Sequence, residues 1–243
     1  MKILIIRHGE PNYAKNTLTP NGFKESEYLG ERLKKIKIDD IYSSPYNRAV
    51  YTARPTADAK KKEIIILDWL KEFQGNCVDD VTGEKVIPWN LKPQIWTKKE
   101  EYYNVNSWMN EKWMDSATVR EQYNFVTKKF DELLSQYGYK RDSVIYRCEQ
   151  NADKTIVLFC HFALGMVLIS HLCAISPVLL WQTMFLPTSS VTTFVTEERE
   201  KGEVVFKCMQ MGDTSHLYAN NTEVSNSGLY PEFYGGEGQG AIV

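Results

Sequence analysis

The sequence predicts an α/β protein, a three-layer α/β/α sandwich with a mostly parallel central sheet and a central insertion. Three observations predict it. Residues 2–6, Lys-Ile-Leu-Ile-Ile, form an apolar run that leads directly into Arg7-His8-Gly9-Glu10. A second such run, residues 155–160, ends on His161. Between residues 1 and 70, strand-like and helix-like patterns alternate twice, the order that builds parallel strands with helices on both faces.

The elements follow in order. The β-branched run at residues 2–6 is the pattern of a strand buried on both faces. Thr19-Pro20 reads as helix N-cap and first helical residue, with Phe23, Ser26, Leu29, Leu33 and Ile36 as one stripe of the helix. Residues 41–44 form a short strand closed by Pro45. Residues 47–54 read as a helix ending around Pro55, and residues 64–67 as a third strand. From 74 to 118 the period breaks at Gly75, Gly83, Pro88 and Pro93, and Trp89, Trp96, Trp108 and Trp113 gather there. A structureless loop of that length does not suit a compact domain, so the tryptophans predict a partly helical insertion, either a cap bordering a pocket or a peripheral packing element. Val119, Tyr123, Val126, Phe130, Leu133, Leu134 and Tyr137 recur at three and four, the clearest amphipathic helix, and Gly138 stops it. Residues 140–154 are polar, a loop or short strand. A helix follows His161 over 164–172. Residues 191–196 and 203–208 pair as a hairpin at an antiparallel sheet edge. The glycine-rich tail, 220–243, reads as loose.

Composition narrows the partners. The 243 residues suit a single domain, 1–243. The net charge of −2 and the absence of a basic block beyond Lys60-Lys61-Lys62 give no reason to expect a nucleic acid, while a few arginines suffice for a small anion. Five scattered cysteines without a CxxC spacing point to thiols in a reducing compartment. The N-terminal apolar run is too short for a signal segment, and residues 156–172 are interrupted by His161 and His171, so a cytoplasmic protein without membrane contact is expected. None of the four histidines has HxH, HxxxH or HExxH spacing, so no metal site is expected.

Chemistry-bearing residues cluster at predicted strand ends. In Arg7-His8-Gly9, the glycine allows close backbone approach, His8 is a candidate nucleophile or base, and Arg7 a planar clamp for phosphate or carboxylate oxygens. Arg48 sits in the first turn of a helix, against the dipole, which calls for a compensating ligand or carboxylate. Glu72, flanked by Trp69, Leu70 and Phe73, is a candidate proton donor if desolvated; the plainer reading is a loop glutamate paired with Lys71. Glu10 and Asp68 are rival donors. His161 stands where a strand becomes a helix. His171 and His216 read as structural.

Taken together, these motifs resemble the histidine phosphatase superfamily, in its phosphoglycerate mutase-like branch. Arg7-His8-Gly9-Glu10 matches the RHGE signature, Leu18-Thr19-Pro20-Asn21-Gly22 the LTxxG turn, and Ser43-Ser44-Pro45-Tyr46-Asn47-Arg48-Ala49 the SSPxxRA segment. Leu70-Lys71-Glu72-Phe73 resembles the segment bearing the acid, and His161 the second histidine. The resemblance covers about residues 1–75 and 150–216. It implies a phosphoglycerate mutase-like fold and a metal-independent, cofactor-free phosphomonoester hydrolase. On that reading His8 is phosphorylated, Arg7, Arg48 and His161 hold the phosphoryl oxygens, with His161 as an imidazolium, and Glu72 protonates the leaving alkoxide. Glu10, Asn12, Asn16, Thr19 and Tyr46 are then candidate substrate contacts. The expected partner is a small metabolite or nucleotide-type phosphate monoester, and the tryptophans of the insertion offer an aromatic wall for a larger leaving group. A monomer or homodimer is expected. A mutase-like phosphotransferase and a non-catalytic phosphate-binding protein are the alternatives. Two departures stand out: Ala14 occupies a position where the family commonly has Asn, for which Asn12 or Asn16 would substitute, and Phe162-Ala163 replaces the glycines usual after the second histidine.

Overall fold

The computed structural model describes residues 1–79, 82–114, 117–150 and 152–229. Its centre is an eight-stranded sheet built from β1 (Lys2–Arg7), β2 (Asp40–Ser43), β3 (Ile64–Ile66), β4 (Lys140–Asp142), β5 (Ile145–Arg147), β6 (Thr155–Cys160), β7 (Val191–Glu200) and β8 (Glu203–Asp213). The spatial order is β3-β2-β6-β1-β7-β8-β5-β4. The first four in that order run parallel, and from β1 onward every pairing is antiparallel. The sheet is therefore mixed, and its parallel half carries the predicted histidines.

Two helices cover one face, α1 (Pro20–Leu33) and α2 (Asn47–Lys60); the other carries α3 (Ala117–Gln136) and α4 (Phe162–Cys173), followed by α5 (Pro177–Thr183). The alternation of a strand explains how one run feeds both cores. On β1, Ile3 and Ile5 join the α3/α4 core, while Leu4 and Ile6 join the α1/α2 core. On β6, Ile156 and Leu158 face the first, and Val157 and Phe159 the second. Burial on both faces is why these runs are continuously apolar.

Thr19 caps α1 as predicted, its hydroxyl accepting from the Gly22 amide at 3.0 Å. Within the predicted stripe, Ser26, Leu29 and Leu33 are buried, but Phe23 is exposed and lies against Tyr51 of α2. Pro55 does not end α2; the helix continues to Lys60. Thr56 and Ala57 beyond it are buried, and α1 approaches Pro55 so closely at Gly30 that a Cβ there would lie 2.8 Å from the proline ring. Tertiary packing thus carries the helix past a residue that removes one backbone hydrogen bond. Gly138, at φ +90°, ends α3 in a backbone conformation that favours glycine.

The insertion is a chain of short elements: a two-stranded ribbon pairing Cys77–Val78 with Lys85–Val86, and short helical turns at Pro88–Asn90, Pro93–Trp96, Glu100–Tyr103 and Trp108–Asn110. Its tryptophans divide in role. Trp108 is fully buried against Tyr123 and Trp181, whereas Trp89 and Trp96 line a cavity. Within the tail expected to be loose, Ser227 and Gly228 lie against Arg7; residues 230–243 lie outside the described residues. No helix among the described residues is long and apolar enough to cross a membrane.

Candidate active site

The register of three parallel strands places the chemistry. Arg7 pairs with Cys160, and Ser43 with Phe159, so β1, β6 and β2 end at one level. The next residues, His8, His161 and Ser44, emerge side by side at the carboxyl edge of the sheet, where open α/β sheets bind ligands. Two backbone bonds lock them: His8 donates to the Cys160 carbonyl (3.0 Å) and Ser44 to the Phe159 carbonyl (2.9 Å).

His8 is buried, and its Nδ1 lies 2.7 Å from the Gly9 carbonyl. A carbonyl only accepts, so Nδ1 carries the proton and Nε2 keeps its lone pair. Burial, reinforced by Arg7 and Arg48, holds the imidazole well below its ordinary pKa despite that hydrogen bond. His8 is therefore a neutral imidazole with a free Nε2, the form a nucleophile needs. The His161 ring stands 5.1 Å away, centroid to centroid, with Nε2 2.8 Å from the Ser44 hydroxyl. It too is held well below the usual histidine range, by burial and then by His8, Arg48 and Arg7. Beside two guanidiniums the buried ring is neutral in the free site; the imidazolium expected in the transition state concerns the site with an anion bound.

Among the described residues, the guanidiniums have no carboxylate partner. Arg7 donates from one Nη to the Leu186 carbonyl (2.6 Å) and from the other to the Ser227 carbonyl (3.0 Å), and lies over the rings of Phe162 and Phe185. Arg48 is held between Tyr13 and Tyr46, its guanidinium carbon 5.4 and 4.7 Å from the ring centroids. Arg48 thus finds aromatic support, not a compensating carboxylate. Arg7 Nε, Arg48 Nε and His161 Nδ1 are three of five buried side-chain polar atoms among the described residues with no hydrogen-bond partner. Unsatisfied buried polar atoms are rare and costly, and here three of them belong to one site.

Glu72 turns into the site and leaves Lys71 to pair with Asp68. Its Oε1 accepts from the amides of Phe73 and Leu164, both at 2.9 Å, while Oε2 has only a long 3.4 Å contact with the Ala163 amide. The carboxyl thus caps α4, the helix that follows His161. Burial raises its pKa, and the three backbone amides only partly oppose this. Asp68 is exposed and ion-paired. Glu10 faces away, accepting from Thr19 (2.7 Å) and Asn21 (3.2 Å). Burial would raise the Glu10 pKa, but hydrogen bonds from Ser225, Thr19 and Asn21 outweigh it and lower it. Of the three candidate acids, Glu72 alone lines the cavity that Arg7 and Arg48 also line.

The neighbouring cavity has a volume of about 1150 Å³, and Arg7, Arg48, Glu72 and Tyr46 are among the residues that line it. The other candidate substrate contacts do not line it. Glu10 and Thr19 bond each other, Asn12 accepts from the Lys15 amide, and Asn16 is an exposed turn residue at φ +48°. Neither asparagine therefore replaces the one missing at Ala14; Tyr13, between them, reaches the cavity instead.

Several site residues escaped sequence reasoning. Thr52 accepts from the Gly9 amide (2.8 Å) and donates to the Arg48 carbonyl (2.6 Å), tying the His8 loop to α2; its spacing of four from Arg48 was the available signal. Glu25 is fully buried behind Gly9, accepting from the Glu10 amide (2.9 Å) and the Thr188 hydroxyl (2.8 Å), with its pKa pushed up to about 7 by burial. Close glycine contact explains the Leu18–Gly22 turn: a Cβ on Gly22 would lie 2.3 Å from the Glu10 carbonyl oxygen. His216 is structural, as predicted. It bonds Ser189, whose amide donates to the His8 carbonyl. His171 pairs with Asp131 at 2.9 Å. No group of three or more potential metal ligands occurs among the described residues.

The profile of the histidine phosphatase superfamily (branch 1) matches residues 3–208. The chain belongs to that superfamily. Among curated proteins, it is 37% identical over 76 residues to a 2,3-bisphosphoglycerate-dependent phosphoglycerate mutase of Thermoplasma acidophilum, covering 27% of this chain and 38% of that one. It is 28% identical over 96 residues to phosphoserine phosphatase 1 of Hydrogenobacter thermophilus, covering 36% and 46%. The chain thus spans less than half the length of these curated relatives. A phosphoserine phosphatase of Entamoeba histolytica, solved with 3-phosphoglyceric acid, superposes with a TM-score of 0.57 at 26% identity, over 89% of this chain and 98% of that one. A mycobacterial glucosyl-3-phosphoglycerate phosphatase shares the fold, with a TM-score of 0.56 at 14% identity over 87% and 98%.

Proposed function

We propose that this histidine phosphatase superfamily member is a metal-independent phosphomonoesterase that acts on a small phosphorylated metabolite through a phosphohistidine at His8. One observation carries the reading: a neutral His8 with a free Nε2 stands beside Arg7, Arg48 and His161, each with a buried N–H or ring nitrogen that lacks a partner. Three tetrahedrally spread oxygens of a phosphoryl group are the acceptors such donors suit.

In the first step the Nε2 lone pair forms a bond to phosphorus as the phosphorus–oxygen bond to the alcohol breaks. The proton on Glu72 passes to the departing alkoxide, leaving a carboxylate. In the second step Glu72 takes a proton from water, the water oxygen bonds to phosphorus, and the phosphorus–nitrogen bond breaks to release inorganic phosphate. The guanidiniums carry the charge on the equatorial oxygens, and His161 gains a proton or donates a hydrogen bond once the dianion is seated. Glu72 alternates as acid and base, the task that a raised carboxyl pKa serves.

A phosphoglycerate mutase-like phosphotransferase is the second reading, favoured by the partial match to the Thermoplasma mutase. It requires the phosphoenzyme to return its phosphoryl group to an acceptor, not to water. The test is release of inorganic phosphate from a panel of monoesters by chelator-treated protein, with acid-labile phosphoprotein measured in the same samples. Turnover and labelling are both expected, and both should vanish in His8→Ala. Label that persists until a hydroxylated acceptor or a bisphosphate is added selects the mutase. Phosphate binding with neither turnover nor label identifies a binding protein.

A further inference from the structure

The cavity beyond the phosphoryl centre is built for one kind of leaving group. Its wall begins beside the proton donor: Phe73 follows Glu72, and its ring lies 5.3 Å from Trp181 and 6.4 Å from Trp89. Trp181 is buried and fixed by donation from its indole to the Ala163 carbonyl at 3.0 Å. Phe162 and Phe185, 5.9 Å apart, also line the cavity and support Arg7. An alcohol whose oxygen is protonated by Glu72 therefore extends into a cavity lined by aromatic rings. The volume of about 1150 Å³ lies just above the roughly 300–1,000 Å³ of sites for drug-sized ligands, and far exceeds a three-carbon acid.

Charge narrows the class further. Among the described lining residues Glu72 is the one acidic side chain, whereas Arg7, Arg48 and Lys92 are basic. An ammonium group on the leaving alcohol would meet no carboxylate but the proton donor itself, and would be desolvated against aromatic rings and basic side chains. The remaining polar lining consists of amides and hydroxyls, such as Asn90, Gln182, Tyr46 and Thr183, which serve neutral donors and acceptors.

Building on the phosphatase reading, we infer that the substrate is the phosphomonoester of an alcohol that carries an aromatic body and no positive charge, and that amine-bearing esters of the phosphoserine type are excluded. The test compares kcat/KM for four esters: 2-(2-naphthyl)ethyl phosphate, propyl phosphate, phosphoethanolamine and a nucleoside 5′-monophosphate. The naphthylethyl ester should exceed propyl phosphate about 10- to 100-fold, the worth of burying one aromatic ring system. Phosphoethanolamine should fall below propyl phosphate although its alcohol is the better leaving group. In Trp89→Ala the naphthylethyl to propyl ratio should collapse toward unity, through KM more than kcat. Asn90→Asp, which adds one acid to the lining at constant shape, should raise phosphoethanolamine relative to propyl phosphate severalfold. A nucleotide that surpasses the naphthylethyl ester supports the class and names nucleosides as its source. Equal or better cleavage of propyl phosphate or phosphoethanolamine overturns the inference and leaves the phosphatase reading standing. No release from any ester overturns the phosphatase reading, and this inference with it.

Discussion

Replacing Glu72 by glutamine separates the two jobs this side chain holds. The carboxyl accepts two amides at 2.9 Å through Oε1 alone, from Phe73 and Leu164, and meets Ala163 at 3.4 Å through Oε2. An isosteric amide can keep its oxygen at the Oε1 position and so preserve both strong bonds. Only the long contact turns unfavourable, so the expected stability change stays within about 1 kcal/mol. Catalysis should respond very differently. General acid assistance supplies roughly 10²- to 10⁴-fold, or about 3–5 kcal/mol of barrier, when the leaving group is an alkoxide. It supplies far less when the leaving group is a nitrophenolate that departs without a proton. Single-turnover labelling of His8 from propyl phosphate should therefore slow by two orders of magnitude or more in Glu72→Gln, while labelling from 4-nitrophenyl phosphate slows less than about 10-fold. The phosphoenzyme should also accumulate, because the base that activates water is gone. Equal loss on both esters, with a lowered urea midpoint, would show that Glu72 serves only to cap α4 and would sink the acid assignment.

Two further outcomes follow from the buried surroundings of His8. Glu25 has a folded-state pKa of about 7 against an ordinary 4.5, so between those values the folded chain holds a proton that the unfolded chain has released. Its contribution is present below about pH 4.5 and is lost as pH rises toward 7. Glu25→Gln should remove that slope, gaining at most about 3 kcal/mol relative to the parent between pH 5 and 8. His8 and His161, with depressed pKa values, slope the opposite way, so the difference between variant and parent urea midpoints is the quantity to read. A difference independent of pH would refute the assignment. Gly22→Ala should destabilise by about 1–3 kcal/mol despite alanine's better helix propensity, because its Cβ would lie 2.3 Å from the Glu10 carbonyl oxygen and 2.9 Å from the Glu10 amide. Those are backbone atoms that no rotamer change relieves, so phosphate release should fall as well; unaltered stability and turnover would show that the loop gives way freely.

The parts of the fold that were legible in the sequence are those governed by local pattern. Residues 2–6 and 155–160 are apolar at every step because both faces of the strands are buried, and the histidines that follow inherit their place from the register of the strands. Thr19 and Gly138 announce the helix ends through capping and φ. What escaped depends on partners distant in sequence. Pro55 reads as a stop until Gly30 is set beneath it, and Phe23 reads as core until Tyr51 proves to be its neighbour. Glu25 gives no sign of burial, since its partner Thr188 lies 163 residues away. Ser227 supplies a carbonyl to Arg7 from a tail whose glycine content suggested looseness. The insertion divided its tryptophans between core and cavity by contacts with Tyr123, Trp181 and Phe73, none of which its own irregular sequence could announce.

The electrostatic design of the site becomes clear when its carboxyls and cations are considered together. Two guanidiniums placed near one another repel, and protein interiors ordinarily offset such a pair with carboxylates. Here the two acids that act on Arg7 electrostatically, Glu72 and Glu25, are both shifted toward their neutral forms by burial. The cations are instead held in place by neutral groups: the carbonyls of Leu186 and Ser227 for Arg7, and the rings of Tyr13 and Tyr46 for Arg48. Both histidines remain uncharged, which limits the repulsion within the free site and keeps the His8 lone pair available. Among the described residues the positive charge is therefore left uncancelled and oriented, with no internal counterion for an entering dianion to displace. Burial thus does two things at once here: it keeps Glu72 and Glu25 toward their neutral forms and leaves the guanidiniums to face the cavity without them.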